Sequence, residues 1–123
     1  ANTGHAGAIE MKRYAIQPVV AAVRLLALAS GVSATGTRGR VQALAEKGVV
    51  KPDDAEDILN AFGVVCDILL RRQIEGFKAG EPVTNYVAPA SLRRSSKRDL
   101  RNALRVIDLL TARVRAEFTG GTL

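Results

Sequence analysis

The chain has 123 residues, 47% of them hydrophobic and 24% charged, with a formal net charge of +6. This length gives one domain with a core of its own, and the apolar fraction excludes a disordered chain. One Cys and one His, His5, exclude a disulfide framework, a cysteine-based zinc site and most histidine chemistry, and they point to a reducing compartment.

Residues 1–8 lack the basic start and apolar stretch of a secretory signal. They are read as lying outside the domain, either disordered or foreign to the natural chain. The first residue is Ala, so the chain is expected to be processed or to be part of a longer polypeptide. No stretch approaches the roughly 20 apolar residues of a membrane span. The expectation is a cytoplasmic protein with no membrane partner.

Four helices follow. The first is expected from about Pro18 to Ser30, because proline suits a first turn whose N–H groups are unpaired anyway. Val19, Val20, Val23, Leu26 and Ala27 recur on its inner face, and Gly31 stops it. A short helix fits Thr37 to Lys47, with Val41, Leu44 and Ala45 inward and Gly48 closing it. The third begins at Pro52-Asp53-Asp54, where two carboxylates complement the positive helix start. Ala55, Ile58, Leu59, Phe62, Val65, Cys66, Leu69, Gln73 and Phe77 form its apolar stripe, ending near Gly80.

Residues Gly80 to Leu92 hold Pro82, Asn85 and Pro89, too broken by proline for a helix. The fourth helix is expected from about Ser95 to Phe118, with Leu100, Leu104, Ile107, Thr111, Val114 and Phe118 inward. Nothing suggests a sheet. The reading is an all-α antiparallel four-helix bundle with one short helix, spanning residues 9–118 and followed by a tail at 119–123.

Little in the chain carries chemistry. Cys66 lies on the apolar stripe, where an inert core thiol is the ordinary reading. Asp53, Asp54, Glu56 and Asp57 cluster where a helix start favours acids, so they read as capping charges rather than a metal site. Thr35-Gly36-Thr37-Arg38-Gly39-Arg40 precedes a helix but lacks the Walker lysine and the dinucleotide pattern. Charge is uneven: residues 1–52 and 91–123 each carry +5, while residues 53–79 carry −3. Arg94, Arg98, Arg101 and Arg105 recur at spacings of four, three and four, a stripe read as a solvated face. Arg24, Arg71, Arg72 and Gln73 instead interrupt apolar stretches. Such groups either line a cleft or join an ion-pair network, for which Asp67 and Glu75 are candidate partners.

Several motifs together resemble a known helical family. They are Ile9-Glu10-Met11-Lys12, Pro18, Arg24-x-x-Ala27-Leu28, Thr35-x-Thr37-x-x-Arg40-Val41, Leu70-Arg71-x-Gln73 and Gly80-x-Pro82-x-x-Asn85-x-x-x-Pro89-x-x-Leu92. In this order and spacing they resemble the nucleotidyltransferase substrate-binding domain, over about Ile9 to Phe118. Glu10, Gly39, Leu69 and Arg72 depart from residues usual in the family, as does Arg93-Arg94 where a Ser-Pro helix start is common.

The resemblance implies an accessory domain C-terminal to a catalytic domain like that of PII-protein uridylyltransferases. Sensory CBS or cyclic-nucleotide-binding domains often lie further upstream, which suggests a role in signal transduction. The chain has no Gly-Ser dipeptide and no Asp-x-Asp, the pattern of the catalytic domain. It would therefore not transfer a nucleotide alone and would need no cofactor of its own. Magnesium with a nucleoside triphosphate belongs to the parent enzyme. Lys12, Arg24, Arg40 and Arg71 are expected to face a triphosphate or an acidic acceptor, with Gln73, Asn85 and Tyr86 supplying hydrogen bonds. The implied partners are the upstream nucleotidyltransferase domain, a nucleotide and a protein acceptor.

Two other classes compete with this one. A stand-alone basic bundle could bind RNA or nucleotides through the arginine stripe, although nucleic acid is not the expected partner because no aromatics interleave the arginines. A HEPN-type ribonuclease needs an Arg followed by a catalytic His, and His5 precedes every Arg. A dimerisation module, with the bundle as a homodimer, stays open.

Overall fold

The computed structural model describes residues 7–119; His5, most of the 1–8 stretch and residues 120–123 of the tail lie outside the described residues. Four α-helices carry the fold: α1 (Gln17–Ala29), α2 (Thr37–Glu46), α3 (Pro52–Lys78) and α4 (Arg94–Phe118). The expected all-α bundle with one short helix is the architecture observed. One addition departs from the expected absence of a sheet: β1 (Ile9–Glu10) pairs antiparallel with β2 (Tyr86–Val87), Ile9 opposite Val87 and Glu10 opposite Tyr86. A 3-10 turn at Pro89–Ser91 leads into α4.

The first helix begins earlier than Pro18. Met11 is already helical, and residues Lys12–Ile16 form a π turn that feeds directly into α1, with the Gln17 N–H donating to the Lys12 carbonyl five residues back. Pro18 therefore lies inside a continuous helix, where its ring would ordinarily clash with the carbonyl four residues earlier. The wider π turn just before it makes room for the ring. The extended helix places Met11, Ala15, Val19, Ala22 and Leu26 in the core.

α3 and α4 are the long walls of the bundle. Along α4 the buried residues are Leu100, Ala103, Ile107, Leu110 and Val114, a three-four repeat that keeps one seam against the other helices. On α3 the buried residues are Ala55, Ile58, Ala61, Val65, Ile68, Leu69 and Gly76. Both seams stop short of the helix ends. Phe77, expected inward, is 80% exposed, and Phe118, also expected inward, is 39% exposed at the rim of the α1–α4 contact. Two cations tie the loops together. Lys47 Nζ donates to the Ser30 carbonyl at 2.6 Å, and Arg113 Nη2 donates to the Val49 carbonyl at 2.6 Å.

Cys66 is half-buried, and burial pushes its thiol above the ordinary value because the thiolate is poorly solvated there. The thiolate fraction at neutral pH is thus below that of a free cysteine. Alkylation of Cys66 by iodoacetamide at pH 7.5 is expected to run several-fold slower than in the urea-unfolded chain. Equal rates would show the thiol to be unprotected.

Candidate substrate cleft

The cleft forms where the C-terminal half of α3, the segment from Glu81 to Leu92 and the first turns of α4 meet. Its construction starts at the end of α3. Gly80 takes φ 75°, a left-handed conformation open to glycine, and the Glu81 N–H then caps the Gly76 carbonyl at 2.9 Å. The reversal carries Glu81 back along the helix to meet Arg72, whose Nη2 donates to Glu81 Oε1 at 3.2 Å. The pair lies across the bare backbone of Gly76. A Cβ there would stand 2.9 Å from Arg72 Nη1 and 3.3 Å from Glu81 Oε1.

Gln73 then fastens the returning segment. Its Nε2 donates to the Thr84 carbonyl at 2.9 Å and to Asn85 Oδ1 at 3.2 Å. The Asn85 carbonyl in turn accepts from the Met11 N–H at 2.8 Å, which docks the start of the first helix on the same segment. Tyr86 donates its N–H to Thr84 Oγ1 at 3.1 Å and pairs with Glu10 in the ladder. Glu10 itself caps the π turn, with Oε1 accepting from the Lys12 and Arg13 N–H groups.

Two hollows result, with the Arg72–Glu81 pair common to both. One, of about 720 Å³, is lined by Glu10, Pro82, Val83, Thr84, Asn85 and Tyr86, among others. The other, of about 640 Å³, is lined by Asp67, Arg71, Glu75, Arg93, Ser96 and Asp99, together with Ile68 and Leu92. In the second hollow Asp67 neutralises Arg71 at 2.8 Å and Glu81 neutralises Arg72. Glu75, Asp99 and Arg93 have no salt-bridge partner among the described residues. The lining therefore mixes both signs instead of concentrating positive charge.

The seven residues singled out from the sequence fall into two groups. Gln73, Asn85 and Tyr86 come together at the cleft, and Arg71 lines its second hollow. Lys12, Arg24 and Arg40 line neither hollow. Lys12 is exposed in the π turn and Arg24 is exposed on α1, while Arg40 is spent locally, its Nε donating to the Ala34 carbonyl at 3.2 Å. The expectation that Arg24 and Arg71 are embedded is corrected, since both side chains stand in solvent. Apolar sequence neighbours on a helix point in other directions and do not bury a residue between them. The ion-pair alternative holds for Arg71, whose partner is Asp67. Arg94, Arg98, Arg101 and Arg105 are all exposed on the outer face of α4.

Sequence reasoning missed Glu81, Arg93, Ser96 and Asp99 as lining residues. The one local signal was Gly80, whose left-handed turn after a long helix directs the next side chain backwards. Removing the slot at Gly76 tests the arrangement. In a Gly76→Ala background, the coupling between Arg72 and Glu81 in a double-mutant cycle is expected to fall from about 0.5 kcal/mol to zero. Helix propensity gains about 1 kcal/mol from the same change, so overall stability should hold. An undiminished coupling would mean that the pair does not need the glycine.

Comparison with known proteins identifies the family. The chain matches the family described as "Putative nucleotidyltransferase substrate binding domain" over residues 1–118. It belongs to that family. No curated protein and no solved structure matches it.

Proposed function

We propose that this chain is the accessory substrate-binding domain of a nucleotidyltransferase resembling PII-protein uridylyltransferases, acting in signal transduction, and that its cleft holds the substrate for a separate catalytic domain. Membership of the family over nearly the whole described chain is the observation that carries this reading. The catalytic domain, upstream in the same polypeptide, supplies the transfer chemistry, and a protein acceptor in the cytoplasm receives the nucleotide. Among the described residues no group of three or more His, Cys, Asp or Glu side chains could hold a metal ion. Magnesium, with the nucleoside triphosphate, is assigned to the catalytic domain.

The chain's own residues bind and orient. Gln73 and Asn85 fix the wall of the cleft, and Arg93, Glu75 and Asp99 offer unpaired charge to a ligand. In the intact polypeptide, Arg93→Ala and Glu75→Ala are expected to raise KM for the cleft's ligand about tenfold with kcat unchanged, the pattern of lost uniform binding. Arg38→Ala, exposed on α2 and outside both hollows, serves as the control. Unchanged KM in both cleft variants, with circular dichroism showing a folded bundle, would remove the cleft from the reading.

A second reading has one observation in its favour, the four exposed arginines of α4. An RNA-binding bundle would show affinity falling steeply with salt and abolished by charge reversal at Arg98 and Arg101.

A further inference from the structure

The cleft leaves the first helix unexplained. Over its 13 residues α1 carries a single charge, Arg24. One side packs into the core through Val19, Ala22, Val23, Leu26 and Ala27. On the flank, Pro18, Ala21 and Leu25 line a groove of about 330 Å³ against Thr111, Val114 and Phe118 of α4. Leu28 continues the same three-four spacing beyond the groove. Leu25 is 45% exposed and Leu28 67%. A helix that is apolar on almost every side belongs inside a larger assembly, and here half of it faces water.

The charges around the groove narrow the choice of occupant. Among the described residues no carboxylate lines it, whereas Arg115 does, and Arg24 stands beside Leu25 and Leu28 on the helix. A second copy packed on this face about a two-fold axis would bring the same basic surface against itself, since such a contact is isologous. The complementary surface is an apolar ridge flanked by carboxylates. The exposed apolar area is a few side chains, well below the ~800 Å² per partner of a free-standing complex. Tethering removes that shortfall, because a linked partner sits at an effective concentration of order millimolar.

The geometry points to this groove as the seat of an acidic-flanked helix of the nucleotidyltransferase domain in the same polypeptide, an assignment that rests on the function proposed above. From Ser96 in the cleft to Val114 in the groove is ~27 Å along α4, at 1.5 Å per residue. A catalytic domain about 30 Å across, seated on the groove, therefore reaches the level of the cleft.

The test uses the intact polypeptide in a Cys66→Ser background. Leu25→Cys and Leu28→Cys are each labelled with a thiol-reactive dye and compared with Leu70→Cys, a residue of similar exposure on α3 that lines neither hollow nor groove. Labelling at positions 25 and 28 is expected to be at least tenfold slower than at position 70, independent of protein concentration, and to accelerate when Arg115→Glu is added. Folding of each variant is checked by circular dichroism. Equal labelling at all three positions, in a polypeptide that transfers nucleotide, overturns the groove assignment and leaves the accessory role intact. Protection that appears only as concentration rises overturns it in favour of a second copy. A reading frame without a nucleotidyltransferase domain overturns both.

Discussion

Met11→Ala is expected to cost about 3 kcal/mol of stability, within the ~2–5 kcal/mol of large-to-small core substitutions. At this chain length that lowers Tm by roughly 12 °C. Met11 is fully buried at the point where the first helix meets the segment bearing Asn85. Truncation leaves a cavity where the first helix meets that segment. Leu28→Ala, on the exposed side of α1, should stay within about 0.5 kcal/mol of the parent. Urea unfolding of the two variants decides the matter, and similar midpoints would show that the core does not extend to the start of the helix.

Gln73→Leu has the second large effect, and it falls mainly on the cleft. Leucine keeps most of the side-chain volume but removes the donor that serves both the Thr84 carbonyl and Asn85 Oδ1. The cost is about 1–3 kcal/mol for leaving partly buried acceptors without their partner. Because the Asn85 carbonyl also holds the Met11 N–H, the amide of Met11 should exchange at least tenfold faster with solvent deuterium. KM for the cleft's ligand should rise by a similar factor in the intact polypeptide. If the Met11 amide stays protected, the segment is held by the strand ladder alone and Gln73 is incidental.

The fold was legible wherever a signal was local. Pro52-Asp53-Asp54 marks the start of α3 within a residue, and Gly80 marks its end because the left-handed turn needs glycine. The spacing of Leu100, Ile107 and Val114 is enough to orient α4. The start of the first helix was misread because Pro18 looks like a helix opening. The competing signal was present, since Met11, Ala15, Val19, Ala22 and Leu26 already recur at helical spacing on both sides of the proline. Phe77 and Phe118 continue their stripes faithfully, yet a stripe cannot say how much of it a neighbour covers.

The cleft was legible only in part, for a different reason. Gln73 and Asn85 stand out as polar residues at motif positions, and the structure joins them by a hydrogen bond. Arg24 and Arg40 stand out equally and go elsewhere, because an amphipathic pattern assigns a face without saying what lies opposite. Glu81 carried no pattern at all. Its partner is nine residues away across a reversal of the chain, and no helical or strand period connects the two.

The π turn ahead of Pro18 makes the start of the chain unusually sensitive to length. One residue more than a regular helix requires is stored between Lys12 and Ile16. Deleting any one of those five would let the backbone relax to the ordinary 3.6-residue turn, which takes up the same rotation with one residue fewer and so keeps Met11 and Glu10 on their present face. The room for the Pro18 ring would go with it, and the ring would meet the carbonyl four residues before it. In this stretch the count of residues is itself under constraint, so substitutions at the exposed Lys12, Arg13 and Tyr14 are tolerated where a single-codon loss is not.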